Sequence, residues 1–123
     1  ALKHVLIANR GEIAIRIARA AADLGLATTS VHSEDDRHSL HLRATDHAVS
    51  LTGRGAAAYL DLEQILRAAL EAGCDAVHPG YGFLSENEQF ARRCRDAGLV
   101  FVGPSVEALS LFGDKVRARE FAR

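Results

Sequence analysis

The chain has 123 residues, of which 48% are hydrophobic and 25% are charged, a composition typical of one folded domain with one core. Its formal net charge is -1, from 15 basic and 16 acidic side chains, so we expect no nucleic-acid partner because a polyanion would need a basic field. No apolar run approaches the roughly 20 residues needed to span a bilayer, and the first residues lack a signal-peptide layout, so we predict no membrane partner and a cytoplasmic location.

Short apolar runs alternate with stretches whose apolar residues recur at helical spacing, which predicts alternating strands and helices. The predicted strands, in chain order, cover residues 5–8, 27–32, 48–51, 76–78 and 99–102. The predicted helices cover 13–24, a short patch at 39–43, 62–72, 88–97 and a final stretch capped by Ser105. Residues 53–58 are predicted to be a loop of small residues. Asp61, followed by Gln64 three positions later, predicts a capping box at the start of helix 62–72.

Three glycines punctuate this pattern. Gly25, Gly73 and Gly98 each follow a predicted helix and precede a predicted strand, as C-terminal helix caps do. Repeated units of this kind build a mainly parallel sheet with right-handed crossovers. We therefore predict a three-layer, Rossmann-like α/β domain with a mainly parallel five-stranded sheet.

The segment from His78 to Asn87, with the sequence HPGYGFLSEN, follows a predicted strand and precedes a predicted helix. Open α/β sheets bind their ligands at such junctions. Gly80 and Gly82 allow positive φ angles and a close approach of the backbone to a ligand, and Tyr81 lies between them. A simple strand-to-helix connection needs fewer residues, so we favour a ligand site over a structural turn. We expect His78 to be a hydrogen-bonded anchor of this loop rather than a catalytic base.

The turn after the first strand, Asn9-Arg10-Gly11, contains a single glycine. A dinucleotide-binding turn would have the pattern G-x-G-x-x-G at this place, so an ordinary NAD-binding domain is disfavoured. Asn9 and Arg10 are candidates to fix this turn against a neighbouring loop or another domain. For Arg10, a solvated side chain is the alternative.

Four charged residues of the first helix, Glu12, Arg16, Arg19 and Asp23, follow one another at spacings of four, three and four. These spacings place them in one stripe opposite the apolar face of the helix. Two interpretations remain open. The stripe is a self-supporting solvated face, or its self-complementary charges pair across the two-fold axis of a homodimer.

The cysteines and histidines do not indicate a metal site. Cys74 and Cys94 lack short metal-type spacing, so we expect two reduced and mostly buried thiols. His38, His41 and His47 lie close together in the sequence, but zinc needs three or four fixed ligands at tight spacing.

A last strand-to-helix turn, at residues 101–105, is followed by Gly113-Asp114-Lys115. A lysine that follows a glycine at the start of a helix can place its charge on a phosphate. Taken alone, this tripeptide is a weak signal, and it favours a solvated lysine over a phosphate contact.

Together these motifs resemble the N-terminal domain of biotin carboxylase, the module found in acetyl-, propionyl-, methylcrotonyl- and pyruvate-type carboxylases. The resemblance is carried by residues 7–14 (IANRGEIA), 78–87, 101–104 (FVGP) and 113–115 (GDK). It covers essentially the whole chain. It implies that residues 1–123 are one pre-ATP-grasp domain, whose sheet has the strand order 3-2-1-4-5, and that an ATP-grasp domain follows it in the complete enzyme.

The resemblance implies that the complete enzyme uses MgATP to activate bicarbonate as carboxyphosphate and then carboxylates protein-bound biotin. The implied cofactors are ATP, Mg²⁺ and biotin, with Mg²⁺ bound mainly by the ATP-grasp domain. The implied partners are that domain, a biotin carboxyl carrier and a carboxyltransferase. We expect residues 1–123 alone to be inactive, because the sequence contains neither a second phosphate clamp nor paired metal carboxylates.

The resemblance also implies roles for individual residues. Lys115 matches the lysine that contacts ATP phosphate, and Tyr81 and Gly82 match the loop that faces the biotin ring. No residue of this domain is expected to be catalytic or to bind a metal. Three positions of the charged stripe match the region through which the family dimerises, which favours a homodimer: Arg16, Arg19 and Asp23.

Two other interpretations remain. The chain is the front domain of another ATP-grasp ligase, of the carbamoyl-phosphate or purine-pathway type, although segment 78–87 argues against this. Alternatively, it is a non-catalytic assembly or dimerisation module that uses the charged stripe. The sequence begins without methionine and stops at Arg123 within a helical pattern, so we expect a piece of a longer protein.

Overall fold

A computed structural model describes residues 2–103 and 108–109 of the chain. The strands are β1 (His4–Ile7), β2 (Ala27–His32), β3 (His47–Ser50), β4 (Ala76–His78) and β5 (Val100–Phe101). The helices are α1 (Gly11–Asp23), α2 (Ala56–Tyr59), α3 (Leu62–Glu71) and α4 (Glu88–Asp96). Two 3₁₀ turns, Glu34–Asp36 and Leu40–Arg43, lie between β2 and β3.

All strand pairs of the sheet are parallel. The sheet has five strands in the order β3-β2-β1-β4-β5, which confirms both the predicted fold class and the predicted strand order. β1 lies at the centre, between β2 and β4. Its continuous apolar sequence reflects this position, since a central parallel strand is covered on both faces.

The core consists of two layers of side chains, one on each face of the sheet. Val5 and Ile7 of β1 pack with Ile17 of α1 on one face. Leu6 belongs to the second layer, on the opposite face, together with Ile65 of α3 and residues of α4. Alternation of neighbouring side chains along a strand produces this division. Helices therefore cover both faces, and the domain has the three predicted layers.

The start of α3 confirms one half of the predicted capping box. Asp61 is the N-cap residue, and its carboxylate accepts a hydrogen bond from the Gln64 backbone N–H at 3.3 Å. The Gln64 side chain returns to the Asp61 carboxylate and not to the Asp61 backbone, because its Nε2 donates to Asp61 Oδ2 at 2.9 Å. The same amide also accepts from the Thr52 N–H at 2.7 Å and donates to the Thr52 carbonyl at 2.8 Å. The second half of the motif thus joins α3 to the loop after β3.

One local prediction needs correction. Residues 53–58 are not only a loop, because α2 begins at Ala56 after Gly55 turns the chain at a φ of 62°. Alanine has the highest intrinsic helix propensity, so the run of alanines forms a helical turn that ends at the buried Tyr59. The short helical patch predicted at 39–43 is present as a 3₁₀ turn at Leu40–Arg43.

Both cysteines are buried and unpaired, as predicted. Burial raises the pKa of each thiol, Cys74 and Cys94, to about 11, so both are protonated at neutral pH. Among the described residues, no helix has the length and apolarity needed to cross a membrane. The cytoplasmic location stays a prediction.

His41 is a core side chain. It is 1% exposed, and its Nε2 lies 3.0 Å from the carbonyl oxygen of Val31. Its Nδ1 is buried and has no hydrogen-bond partner among the described residues. Burial lowers the pKa of His41 below its ordinary value of 6.5, because a charged imidazole would lose its hydration there.

This lowered pKa predicts a loss of stability in mild acid. Below about pH 6.5 the unfolded chain binds a proton at His41 and the folded chain does not, so the free energy of unfolding falls by about 1.4 kcal/mol per pH unit until the folded pKa is reached. Urea unfolding of the 123-residue chain between about pH 8 and 5 measures this slope. His41→Gln keeps a donor for the Val31 carbonyl and cannot titrate, so its slope should be smaller. Equal slopes would contradict the assignment to His41.

Candidate functional site

The turns that follow β1, β2 and β4 lie at the same edge of the sheet, because parallel strands place their carboxyl ends together. These turns are residues 9–11, 33–36 and 78–87. The backbone is hydrogen-bonded where β1 and β4 end, since the Ala8 N–H donates to the His78 carbonyl at 2.9 Å. The predicted ligand loop is therefore placed beside the first turn of the domain.

His78 anchors the start of this loop. The side chain is fully buried, and its Nδ1 accepts a hydrogen bond from the Gly80 N–H at 3.0 Å. An Nδ1 that accepts must be unprotonated, so the imidazole carries its proton on Nε2 when neutral. The predicted anchoring role is confirmed.

Asn9 joins the first turn to the loop. Its side-chain Nδ2 donates to the carbonyl oxygens of Pro79 and Tyr81, each at 2.7 Å. Its Oδ1 accepts from the Arg10 backbone N–H at 2.8 Å. The residue is 1% exposed, so the buried amide is satisfied by these backbone groups. The predicted role of Asn9 in fixing the turn against a neighbouring loop is confirmed.

The two loop glycines have different surroundings. Gly80 has a φ of 65°, and a Cβ added to it would lie 2.8 Å from both Asn9 Nδ2 and Ile13 Cγ2. Gly82 has a φ of 70°, and a Cβ there would have no neighbour within 4 Å. The inner side of the loop is therefore closed by the first turn, whereas its outer side is open. Tyr81, between the two glycines, is 50% exposed.

Arg10 points to the loop after β2. Its Nε and Nη2 donate to the two carboxylate oxygens of Asp36 at 2.7 and 2.9 Å, a bidentate geometry that a guanidinium suits well. Arg10 thus fixes the first turn against a neighbouring loop, which is one of the two predicted alternatives. The Arg10 hydrogen bond holds the pKa of Asp36 well below its ordinary value, so Asp36 is charged at neutral pH.

Asp36 also accepts a hydrogen bond from the hydroxyl of Tyr59 at 2.6 Å. The same hydroxyl accepts from the Ser33 N–H at 3.2 Å. Burial, together with the Asp36 carboxylate, raises the pKa of Tyr59, which keeps the phenol protonated. Sequence analysis missed both Asp36 and Tyr59. The pair is 23 positions apart, and no local motif links the two residues.

Phe83 completes this side of the site. Its φ of 46° is positive, which is uncommon for a bulky residue. The ring packs against Tyr59 with a centroid distance of 5.2 Å. Phe83, Arg10 and Asp36 are among the residues that line a cavity of about 210 Å³. A cavity of this size is smaller than the pockets of roughly 300–1,000 Å³ that enclose whole cofactors.

The acidic residues after β2 fasten the next loop. A carboxylate oxygen of Glu34 accepts from the Gly53 N–H at 2.7 Å, and one of Asp35 accepts from the Gly55 N–H at 2.9 Å. The hydrogen bond from Gly55 lowers the pKa of Asp35. These carboxylates therefore have structural partners. No group of three or more His, Cys, Asp or Glu side chains within the described residues is arranged to hold a metal ion.

The charged stripe of α1 runs along the exposed side of the helix, from Glu12 beside the first turn to Asp23 at the far end. Glu12, Arg16, Arg19 and Asp23 are all exposed, and the buried face of α1 is made of other residues. The ion pairs found among the described residues join other side chains, Arg10 with Asp36 and Arg93 with Glu63. Lys115 lies outside the described residues. Of the predicted site residues, the structure thus places Tyr81 and Gly82 together and the stripe elsewhere.

These features define a Rossmann-like domain whose loop after β4 is open on its outer side and is supported on its inner side by the first turn. The profile of the biotin carboxylase N-terminal domain matches residues 1–109. The chain belongs to this family, as the resemblance implied. The two other interpretations, a different ATP-grasp ligase and an assembly module, are not favoured.

Individual relatives agree. The chain is 53% identical to pyruvate carboxylase of Staphylococcus aureus over 98% of its own length, and it covers 11% of that protein. It is 52% identical to biotin carboxylase of a Nostoc species over 94% of its length, and it covers 26% of that protein. The chain therefore spans only a small part of the relatives that it matches.

Solved structures show the same fold. The biotin carboxylase domain of a single-chain bacterial carboxylase matches 98% of this chain with a TM-score of 0.80 and 60% identity, and the match covers 28% of that chain. A complex of biotin carboxylase with β-γ-ATP from Campylobacter jejuni matches 90% of this chain with a TM-score of 0.82 and 42% identity, covering 25% of that chain.

The closed inner side of the loop predicts that Gly80 tolerates no side chain. We expect Gly80→Ala to lower the free energy of unfolding by about 2 kcal/mol or more, because left-handed strain costs roughly 1 kcal/mol and overpacking adds roughly 1–3. Gly82→Ala is the matched control, with a similar φ and open space, and should lose only about 1 kcal/mol. Chemical denaturation of both variants tests this. Equal losses would show that the contacts with Asn9 and Ile13 do not restrict the position.

Proposed function

We propose that this chain is the front part of a biotin carboxylase that uses ATP and bicarbonate to carboxylate biotin on a carrier, and that its loop at 78–87 forms one wall of the biotin site. Membership of the family supports the activity. The observation that supports the location is the half-exposed Tyr81 beside the open backbone of Gly82. These two residues lie on a loop whose other side is closed by Asn9.

The residues at this edge fit the proposed cofactor. The ureido group of biotin is planar, so its face suits the exposed face of a tyrosine. A glycine without a neighbour lets such a group approach the backbone closely. When bound, biotin supplies the ureido nitrogen that receives the carboxyl group. Tyr81 and Gly82 would orient the ureido group and would not take part in the bond changes.

We propose that Lys115 places its charge on an ATP phosphate, where a fixed cation stabilises charge on the transferring phosphoryl oxygens. The proposal follows from the match of Gly113-Asp114-Lys115 to the family motif. Mg²⁺ would be bound by the ATP-grasp remainder of the enzyme. Because the chain matches about a tenth to a quarter of its relatives' lengths, we expect residues 1–123 alone to be inactive.

The remaining partners follow from the same proposal. A biotin carboxyl carrier would bring biotin to the loop, and a carboxyltransferase would take the carboxyl group from it. The pyruvate carboxylases among the relatives support a multidomain enzyme of this kind. The final acceptor of the carboxyl group is left open.

Two substitutions in the complete carboxylase separate the two binding roles. Tyr81→Ala should raise the KM for free biotin about 5–10-fold, because an aromatic stacking partner contributes roughly 1 kcal/mol, and should leave the KM for ATP unchanged.

Lys115→Ala should weaken ATP binding roughly 10-fold or more, since a hydrogen bond to a charged group contributes roughly 1.5–3 kcal/mol, and should leave the fold intact. Steady-state kinetics and nucleotide titration measure both. Unchanged nucleotide affinity in Lys115→Ala would remove its phosphate role.

We also propose that the intact enzyme is a homodimer that associates through α1. Arg16, Arg19 and Asp23 present both charge signs on one exposed face, as a two-fold interface requires. Arg19 also lines a depression of about 430 Å³, together with Leu40, which is 67% exposed.

The dimer proposal predicts that charge reversal on α1 separates the subunits. In the complete enzyme, Arg19→Glu should shift the mass measured by sedimentation equilibrium from dimer toward monomer. The substitution replaces a cation of the stripe with a carboxylate, which would repel the carboxylates of the partner's stripe across the two-fold axis. Arg67→Glu, on the exposed face of α3, is the matched control and should leave the mass unchanged. A dimeric Arg19→Glu enzyme with unaltered affinity between subunits would refute an interface at this stripe.

A further inference from the structure

The exposed tip of the ligand loop is positioned by its neighbours. Tyr81 and Gly82 are exposed, whereas Gly80 before them and Leu84 after them are buried. A local turn, in which the Ser85 N–H donates to the Gly82 carbonyl at 2.9 Å, closes the tip on itself. The direction in which the tip faces therefore depends on contacts at its two sides.

Asn9 controls the first side. Its Nδ2 draws the carbonyl of Tyr81 toward the interior at 2.7 Å. A trans peptide is planar, so the carbonyl of one residue and the N–H of the next point in opposite directions. Holding the Tyr81 carbonyl inward consequently aims the Gly82 N–H outward, toward the open side. Within the described part of the chain, this N–H donates no hydrogen bond, so it is available to a carbonyl oxygen of a ligand.

Tyr59 controls the second side. Its ring packs on Phe83 at 5.2 Å, next to the tip in sequence. Phe83 has a positive φ, a conformation that persists only where surrounding contacts impose it. Tyr59 is fully buried, and its hydroxyl is bonded to Asp36 and Ser33. Burial of the Tyr59 ring and the hydrogen bonds of its hydroxyl thus hold the surface on which Phe83 packs.

We infer that Asn9 and Tyr59 are positioning residues for biotin, which preset the Tyr81 ring and the outward Gly82 N–H before the ligand arrives. The inference rests on the proposed biotin-facing role of the loop. A binding surface held in its bound geometry loses less conformational entropy when the ligand binds. Removal of either support should therefore weaken biotin binding more than it affects any ligand held elsewhere in the enzyme.

The test measures KM for free biotin and for ATP in the complete carboxylase. Asn9→Ala removes both hydrogen bonds, and Asn9→Asp keeps the shape but presents acceptors to two carbonyls. Each should raise the KM for biotin about 10-fold or more and leave the KM for ATP within about 2-fold, since a tenfold change corresponds to about 1.4 kcal/mol. Tyr59→Leu, which removes the ring that Phe83 packs on, should behave similarly. Tyr59→Phe keeps the ring and should show a smaller rise.

A control separates positioning from general destabilisation. Asp61→Ala removes the N-cap hydrogen bond of α3 and does not touch the loop, so it should lower thermal stability without changing the KM for biotin. Equal increases in both KM values for the Asn9 and Tyr59 variants, or a biotin KM like that of Asp61→Ala, would overturn the inference. If Asn9→Ala does not fold, the two Tyr59 variants provide the test. If neither of them raises the KM for biotin, the inference is overturned.

The outcome for Tyr81→Ala distinguishes this inference from the proposed function. If that variant raises the biotin KM while the Asn9 and Tyr59 variants do not, the loop faces biotin but is not preset by these residues. If Tyr81→Ala has no effect on the biotin KM, the proposed location of the biotin site is itself wrong.

Discussion

The hydrogen bonds from the Asn9 amide to the carbonyls of Pro79 and Tyr81 are the interaction on which the site depends. They join two turns that are more than 60 residues apart in sequence but adjacent in the sheet, since β1 pairs with β4. A buried amide without such partners would be costly. The same contact explains why position 80 is glycine, because a side chain there would occupy the space of the amide.

A second network, centred on the Asp36 carboxylate, supports the other side of the loop. Asp36 receives two hydrogen bonds from Arg10 and one from Tyr59. The carboxylate therefore remains charged and the phenol remains protonated over the neutral pH range. A charge in a largely buried position is tolerated when it is paired and hydrogen-bonded. This network connects the turns after β1 and β2 with α2, and through Tyr59 it reaches Phe83.

In the proposed function, this small domain contributes to a large active site without containing most of its chemistry. The buried residues of the two networks satisfy one another, and the exposed tip offers an aromatic face and a backbone donor. Lys115 would contact an ATP phosphate, and the groups that bind the metal would belong to other parts of the enzyme. The proposed roles thus place a ligand surface at the tip of the loop and an assembly surface on the exposed face of α1.

Sequence patterns alone determined the parallel sheet, three glycine-capped helices and the position of the loop after β4, because these depend on periodicity and on residues close together in the chain. The strand order was predicted from the family resemblance, since the pairing of distant strands leaves no local pattern. Only the tertiary structure decided that Arg10 pairs with Asp36, that Tyr59 supports Phe83 and that Gln64 bonds Thr52 instead of completing its capping box. Such partners meet across different turns of the sheet edge. Their choice depends on distance and direction in the folded chain, which no local pattern encodes.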